Sequence, residues 1–221
     1  MPLAPLGRDS GSCWIRLAAQ SRQVRSNDYR KTLLSLPFAQ HLAQHRELFA
    51  RLDALAPDVT RAATLLSDAL RGGGKLMFCG NGGSAADSQH LASEFTGRFV
   101  NDRRPLAALA LSTDSSALTC IANDYAFDQV FERQLRGLGR NGDVLVAIST
   151  SGRSPNVLCA VQAARELGIA VVGLLGRDGG ALKPLCDVAL VVPSDTTARI
   201  QEAHIFIGHT LCAMVEQALG L

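Results

Sequence analysis

The chain has 221 residues, 47% hydrophobic and 19% charged, with 20 glycines against eight Phe, two Tyr and one Trp. That length and apolar content suit one well-buried domain, and the composition excludes collagen-like and low-complexity chains. No apolar run approaches the roughly 18 residues of a membrane span: the stretch 205–215 is broken by Gly208 and His209, so a soluble protein is expected.

The net charge of +2 is the difference between 22 basic and 20 acidic side chains. Residues 1–30 carry five Arg against Asp9 and Asp28, which leaves a near-neutral remainder, a composition that excludes a nucleic-acid-binding domain. Residues 1–29 lack the apolar core of a secretory signal and read as a disordered basic leader, which a functionless upstream extension from a misassigned start, a disordered arm or an arginine-rich transit-like sequence would each explain, ahead of a single domain from residue 30 to 221. The six cysteines (Cys13, Cys79, Cys120, Cys159, Cys186, Cys212) form no C-x-x-C pair, and several fall in apolar segments. Reduced, mostly buried thiols and a cytoplasmic location follow.

Taken in chain order, residues 37–55 repeat Leu42, Leu48, Phe49, Leu52 and Leu55 at near-helical spacing. His41 and His45 in this segment read as a solvated face. Asp58 is a plausible N-cap for a second helix reaching Leu70, stopped by Gly72, Gly73 and Gly74. Five short apolar runs follow, at 75–79, 106–111, 143–148, 170–175 and 188–192. Their hydrophobicity is continuous rather than alternating, as in strands buried on both faces of a parallel sheet. Helices are expected over 84–99, 128–138, 154–168 (Ser154 as N-cap, Pro155 at N1) and 198–219. The pattern predicts a three-layer α/β/α sandwich around a five-stranded parallel sheet.

Ligands of open α/β sheets bind beyond the carboxyl ends of the strands, and two loops there have suitable composition. Cys79-Gly80-Asn81-Gly82-Gly83-Ser84 lets backbone approach a ligand at a helix start. Ser149-Thr150-Ser151-Gly152-Arg153-Ser154-Pro155 offers four hydroxyls and a helix N-terminus, the makings of a phosphate cradle. Neither matches the two standard glycine-rich nucleotide motifs. Beyond the first loop, Asp87, His90 and Glu94 at i, i+3 and i+7 share one helical face, where a His and a carboxylate can hold a metal or divide acid and base work. The last helix places Gln201, Glu202, His204 and His209 in an apolar context, where each must find a partner.

The run GNGGSAADSQHLASEFTGRF (80–99), the loop STSGRSPN (149–156) and the helix ARIQEAHIFIGH (198–209) together resemble the sedoheptulose-7-phosphate isomerases, or phosphoheptose isomerases, of the sugar isomerase (SIS) domain family. The similarity extends from about residue 30 to the C-terminus. It implies a flavodoxin-like SIS fold and a homotetramer with the N-terminal helices packed in the oligomer. The implied activity is conversion of sedoheptulose 7-phosphate to D-glycero-D-manno-heptose 7-phosphate, the first step toward ADP-heptose and the heptose of lipopolysaccharide core. By matching positions, a Zn2+ ion falls on His90, Glu94, Gln201 and His209. Substrate contacts fall on Asn81, Gly82, Gly83, Ser84, Glu94, Asn123, Asp124, Ser149, Thr150, Ser151, Ser154 and Gln201.

Aldose–ketose isomerisation moves one proton between adjacent carbons through an enediol and a second between the oxygens. Glu94 is assigned the carbon proton and His209 the oxygen proton. Because a carboxylate bound to zinc is a poorer base, either Glu94 loosens in turnover or the metal serves chiefly as electrophile and organiser. Some relatives carry Asp three positions before the Gln, where this chain has Ala198, so no role passes to that position. The alternative reading is a non-catalytic SIS protein that binds the replication initiator; that subgroup lacks counterparts of Glu94 and His209. A sugar-phosphate-sensing regulator would need a DNA-binding domain for which residues 1–74 have no recognition helix.

Overall fold

The computed structural model describes residues 38–221. The expected leader over 1–29 and Cys13 lie outside the described residues. The chain divides into a segment ending at Arg46 and a body from Glu47 to Leu221, and helix α1 (Phe38–Phe49) begins in the first and ends in the second.

In the body, a short 3-10 turn (Leu52–Leu55) leads into α2 (Ala56–Arg71). Its inward face is set by Ala62, Ala63, Leu66, Ser67 and Leu70, recurring at helical spacing. The helix stops at Gly72, and Gly73 adopts φ +83°, which a side chain would resist. The remaining elements are β1 (Leu76–Cys79), α3 (Gly83–Thr96), β2 (Ala108–Ala110), α4 (Ser115–Asp124), α5 (Val130–Leu138), β3 (Val144–Ser149), α6 (Pro155–Glu166), β4 (Ala170–Gly176), β5 (Val188–Val192) and α7 (Thr197–Leu219).

The five strands pair in parallel in the order β2-β1-β3-β4-β5. The run of apolar residues in each strand serves two cores at once, because successive side chains point to opposite faces. Leu76, Phe78, Val144, Val146 and Ile148 face the layer of α2, α3 and α7. Met77, Cys79, Leu145 and Ala147 face α5 and α6, through Val130, Phe131, Leu135, Val157, Ala160 and Val161. The three-layer α/β/α sandwich is the fold. The chain leaves β1 toward β2 and returns to β3 on the other side of β1, so the loops after β1 and β3 part toward opposite faces and open a crevice between them.

Several boundaries differ from the sequence reading for local reasons. The described part of the segment 37–55, from Phe38, holds two pieces, α1 and the 3-10 turn. Asp58 does not cap α2: Pro57, with its fixed φ and no N–H to satisfy, takes the opening turn and moves the start to Ala56. The helix expected to reach Phe99 ends at Thr96, and the one expected from Asp128 opens as a 3-10 turn before α5. Ser154 occupies the N-cap position of α6 but makes no side-chain cap bond, since its hydroxyl is engaged with Ser149. Helix α4, capped by Asp114 accepting from the Ala117 N–H, was not anticipated; it carries no fully buried residue and so has no clean amphipathic signal. His41 and His45 are half-buried rather than a solvated face. Among the described residues the five cysteines are free, as expected.

Candidate functional site

The two loops singled out from sequence flank the crevice and are joined to each other. Asn81, after β1, and Asn156, in the first turn of α6, exchange two amide hydrogen bonds of 2.8 Å. Gly82 turns the first loop with φ +57°, and the Ala85 and Ala86 amides return to its carbonyl at 3.0 and 3.2 Å. A side chain at Gly80 would overlap Ser84, which explains why Ser84 is buried there.

In the second loop, the Ser149 hydroxyl meets that of Ser154 at 3.1 Å and accepts from the Gly152 N–H at 3.1 Å. Gly152 has φ +63° and lies so close to the Gly179 carbonyl that no Cβ could fit. Arg153 braces the loop from outside, donating to the Ser151 carbonyl at 3.1 Å and to Asp178 at 2.6 Å. Thr150 and Ser151 are half-buried at the mouth of this turn.

Helices α3 and α7 supply the chemical cluster. His90 Nε2 stands 2.9 Å from His209 Nε2 and 3.3 Å from Glu94 Oε1. One donor atom from each of the three residues falls within 4.8 Å of the others. Two imidazole nitrogens facing each other at hydrogen-bond distance need a proton or a cation between them. Ligands on a tetrahedral zinc at about 2.0–2.1 Å stand about 3.3 Å apart, so two imidazoles and a carboxylate at these spacings fit that metal in both donor type and geometry.

Gln201, the fourth expected ligand, lays its amide directly over Gly83, in space that any Cβ would fill. That seat is at the start of α3, seven residues and about 10 Å along the helix axis before His90. Asn123 and Asp124, at the end of α4, bond to each other at 2.8 Å and, through Asp124, to Cys120 at 3.4 Å rather than to either loop.

The surroundings include Asp87 and His204, which the sequence singles out without a specific partner, and Phe99 and Asn156, to which it gives no role. Asp87, on the same face as His90, has a buried oxygen with no partner, and burial pushes its carboxyl above the ordinary range against the pull of His90 and His209. Phe99 stacks on His209 with ring centroids 5.4 Å apart. Asn156 lay within the motif STSGRSPN without being given a role. Phe99 sits beyond the end of α3, and nothing in the local pattern announces its contact. His204 is wholly buried, donating from Nε2 to the Leu175 carbonyl at 3.0 Å. Cys79, just before the glycine loop, is no nucleophile: burial pushes its thiol up to about 12.

Comparison with known proteins gives a consistent picture. The SIS domain model matches residues 40–176. A phosphoheptose isomerase of Rhodospirillum rubrum is 54% identical over 173 residues, covering 78% of this chain and 92% of that protein. One from Solidesulfovibrio magneticus is 61% identical over 161 residues, covering 73% of this chain and 78% of that protein. The solved structure of a phosphoheptose isomerase from Neisseria gonorrhoeae superposes with a TM-score of 0.77 at 49% identity, covering 81% of this chain and 96% of that one.

Proposed function

The chain belongs to the phosphoheptose isomerases, sugar-phosphate isomerases of the SIS-domain family, and from that premise we propose that it converts sedoheptulose 7-phosphate to D-glycero-D-manno-heptose 7-phosphate through an enediol. The observation that carries the reading is the meeting of His90, Glu94 and His209 between α7 and α3, the helix that opens from the glycine loop. It also favours the enzyme over an initiator-binding protein, which has no use for an acid–base pair.

In this reading the Glu94 carboxylate removes a proton from C1 while the C2 carbonyl oxygen gains one, giving the enediol. The proton is then returned at C2 as O1 gives up its own, and the carbonyl ends at C1. His209 moves the oxygen protons, and its stacking on Phe99 fixes the plane of its ring. His90, Glu94 and His209 would hold the zinc, and Gln201 would join them only by swinging off its seat over Gly83. Zinc bound there supplies Lewis-acid polarisation of the sugar carbonyl.

The phosphate is received by Ser149, Thr150, Ser151 and Ser154 and the N-terminus of α6, whose dipole favours a dianion. Asn81, Gly82, Gly83 and Ser84, with Asn123, Asp124 and Gln201, line the sugar. Residues 30–221 act as one SIS domain, in a cytoplasmic homotetramer with the N-terminal helices packed between subunits, supplying heptose for lipopolysaccharide. Among the described residues no helix is long and apolar enough to cross a membrane.

The test is turnover of sedoheptulose 7-phosphate followed by NMR, with added zinc and with a chelator. Product that vanishes with chelator, with Glu94→Gln and with His209→Ala is the expected result. Absence of product from a folded tetramer under every metal condition overturns the reading and directs attention to capture of the initiator.

A further inference from the structure

Arg103 and Glu216 form an ion pair far from either loop in sequence, with Nε to Oε1 at 2.7 Å and side chains only 2% and 4% exposed. Burying two charges costs several kcal/mol per ion unless hydrogen bonds complete both groups. Here they do. Glu216, on α7, accepts from Arg103 and from the backbone N–H groups of Phe99 at 3.1 Å and Val100 at 3.4 Å. Burial works against its ionisation, but these donors outweigh burial and hold the carboxyl below its ordinary range.

Arg103 spends the rest of its guanidinium on the end of α3. Nη1 donates to the carbonyls of Phe95 at 2.8 Å, Gly97 at 3.1 Å and Arg104 at 3.1 Å, and Nη2 donates to the carbonyl of Glu94 at 2.7 Å. A helix end leaves its last carbonyls without partners, and a cation there satisfies both the bonds and the dipole. One arm of the pair therefore grips the backbone that carries Glu94. The other grips the backbone of Phe99, whose ring lies against His209. Lysine could not copy this, because its single ammonium cannot fork toward an acid and four carbonyls.

We infer that Arg103 and Glu216 are a positioning pair, which sets the spacing between Glu94 on α3 and His209 on α7 through the peptide of Glu94 and the ring of Phe99. The inference rests on the acid–base roles proposed above. A displacement of about 1 Å in such a geometry costs about 100-fold in rate, and loss of a supporting contact behind a metal ligand typically weakens metal binding by about 10- to 100-fold.

The experiment compares wild type, Arg103→Lys, Glu216→Gln and Phe99→Leu in two readouts: kcat and KM for sedoheptulose 7-phosphate, and zinc affinity by chelator competition. The expected result is a kcat lower by about 10- to 100-fold with KM within about twofold of wild type, together with weaker zinc binding. Phe99→Leu leaves the ion pair intact, so it decides the matter should Arg103→Lys or Glu216→Gln fail to fold. Folded variants with wild-type kcat and zinc affinity overturn the inference. If wild type itself shows no turnover, the isomerase reading fails, and the zinc affinities still test whether the pair sets the spacing of His90, Glu94 and His209.

Discussion

His204 should make the protein lose stability as the pH falls from about 6.5 to 4, and Gln in its place should remove that loss. The Leu175 carbonyl can only accept, so the hydrogen bond at 3.0 Å places the imidazole proton on Nε2. Nδ1 is then a bare acceptor, buried and without a partner. Protonating it would create a buried charge with no hydrogen-bond acceptor in reach, and burial accordingly lowers the group from 6.5 to about 4. In the unfolded chain the same imidazole takes its proton near 6.5. Between the two values the unfolded state binds a proton that the native state refuses, so stability is complete above about 6.5 and drains away down to about 4. At about 1.36 kcal/mol per pH unit the loss is about 3 kcal/mol.

Urea unfolding at fixed protein concentration, followed by circular dichroism from pH 7.5 to 4, measures it. His204→Gln retains a donor for Leu175 and cannot titrate. Carboxylates protonate equally in both proteins, so the difference between the two stability curves isolates the histidine. Wild type should lose about 3 kcal/mol more than the variant over that range. Parallel curves would refute the reasoning.

Gly83→Ala is allowed by the backbone but puts a methyl group where the Gln201 amide sits. KM for the sugar phosphate should rise while the melting temperature changes little, and an unchanged KM would remove Gln201 and Gly83 from the sugar's contacts. Gly152→Ala meets both a positive φ of 63° and the Gly179 carbonyl. It should cost about 1–3 kcal/mol and raise KM for the sugar phosphate, because the serine loop must shift away from its neighbour. Leu145→Ala, in the fully buried central strand, should destabilise by about 2–5 kcal/mol in denaturant titration with KM unaltered.

The apolar strand runs, such as 143–148 and 188–192, announced a parallel sheet because a strand covered on both faces has no polar side to reveal. The glycine and serine loops were legible for a similar reason: positive φ and helix N-termini impose residue types locally. His90 and Glu94 could be placed together because four residues make one helical turn. Those features follow from chain-local geometry, and the sequence by itself determined them.

Other parts of the site depend on contacts between distant segments. That His209 meets His90 across 119 positions was supplied at sequence level only by resemblance, and the 2.9 Å approach follows from the packing of α7 against α3. Asn81 and Asn156, 75 residues apart, find each other because β1 and β3 are neighbours in the sheet. Helix α4 escaped notice because no residue of it is fully buried. Arg103 and Glu216 carry no local signature at all: an arginine in a loop and a glutamate near a helix end ordinarily face water. Only the tertiary structure decided that they are buried together, because desolvating a charge is tolerable solely where the fold gathers enough hydrogen-bonding groups around it.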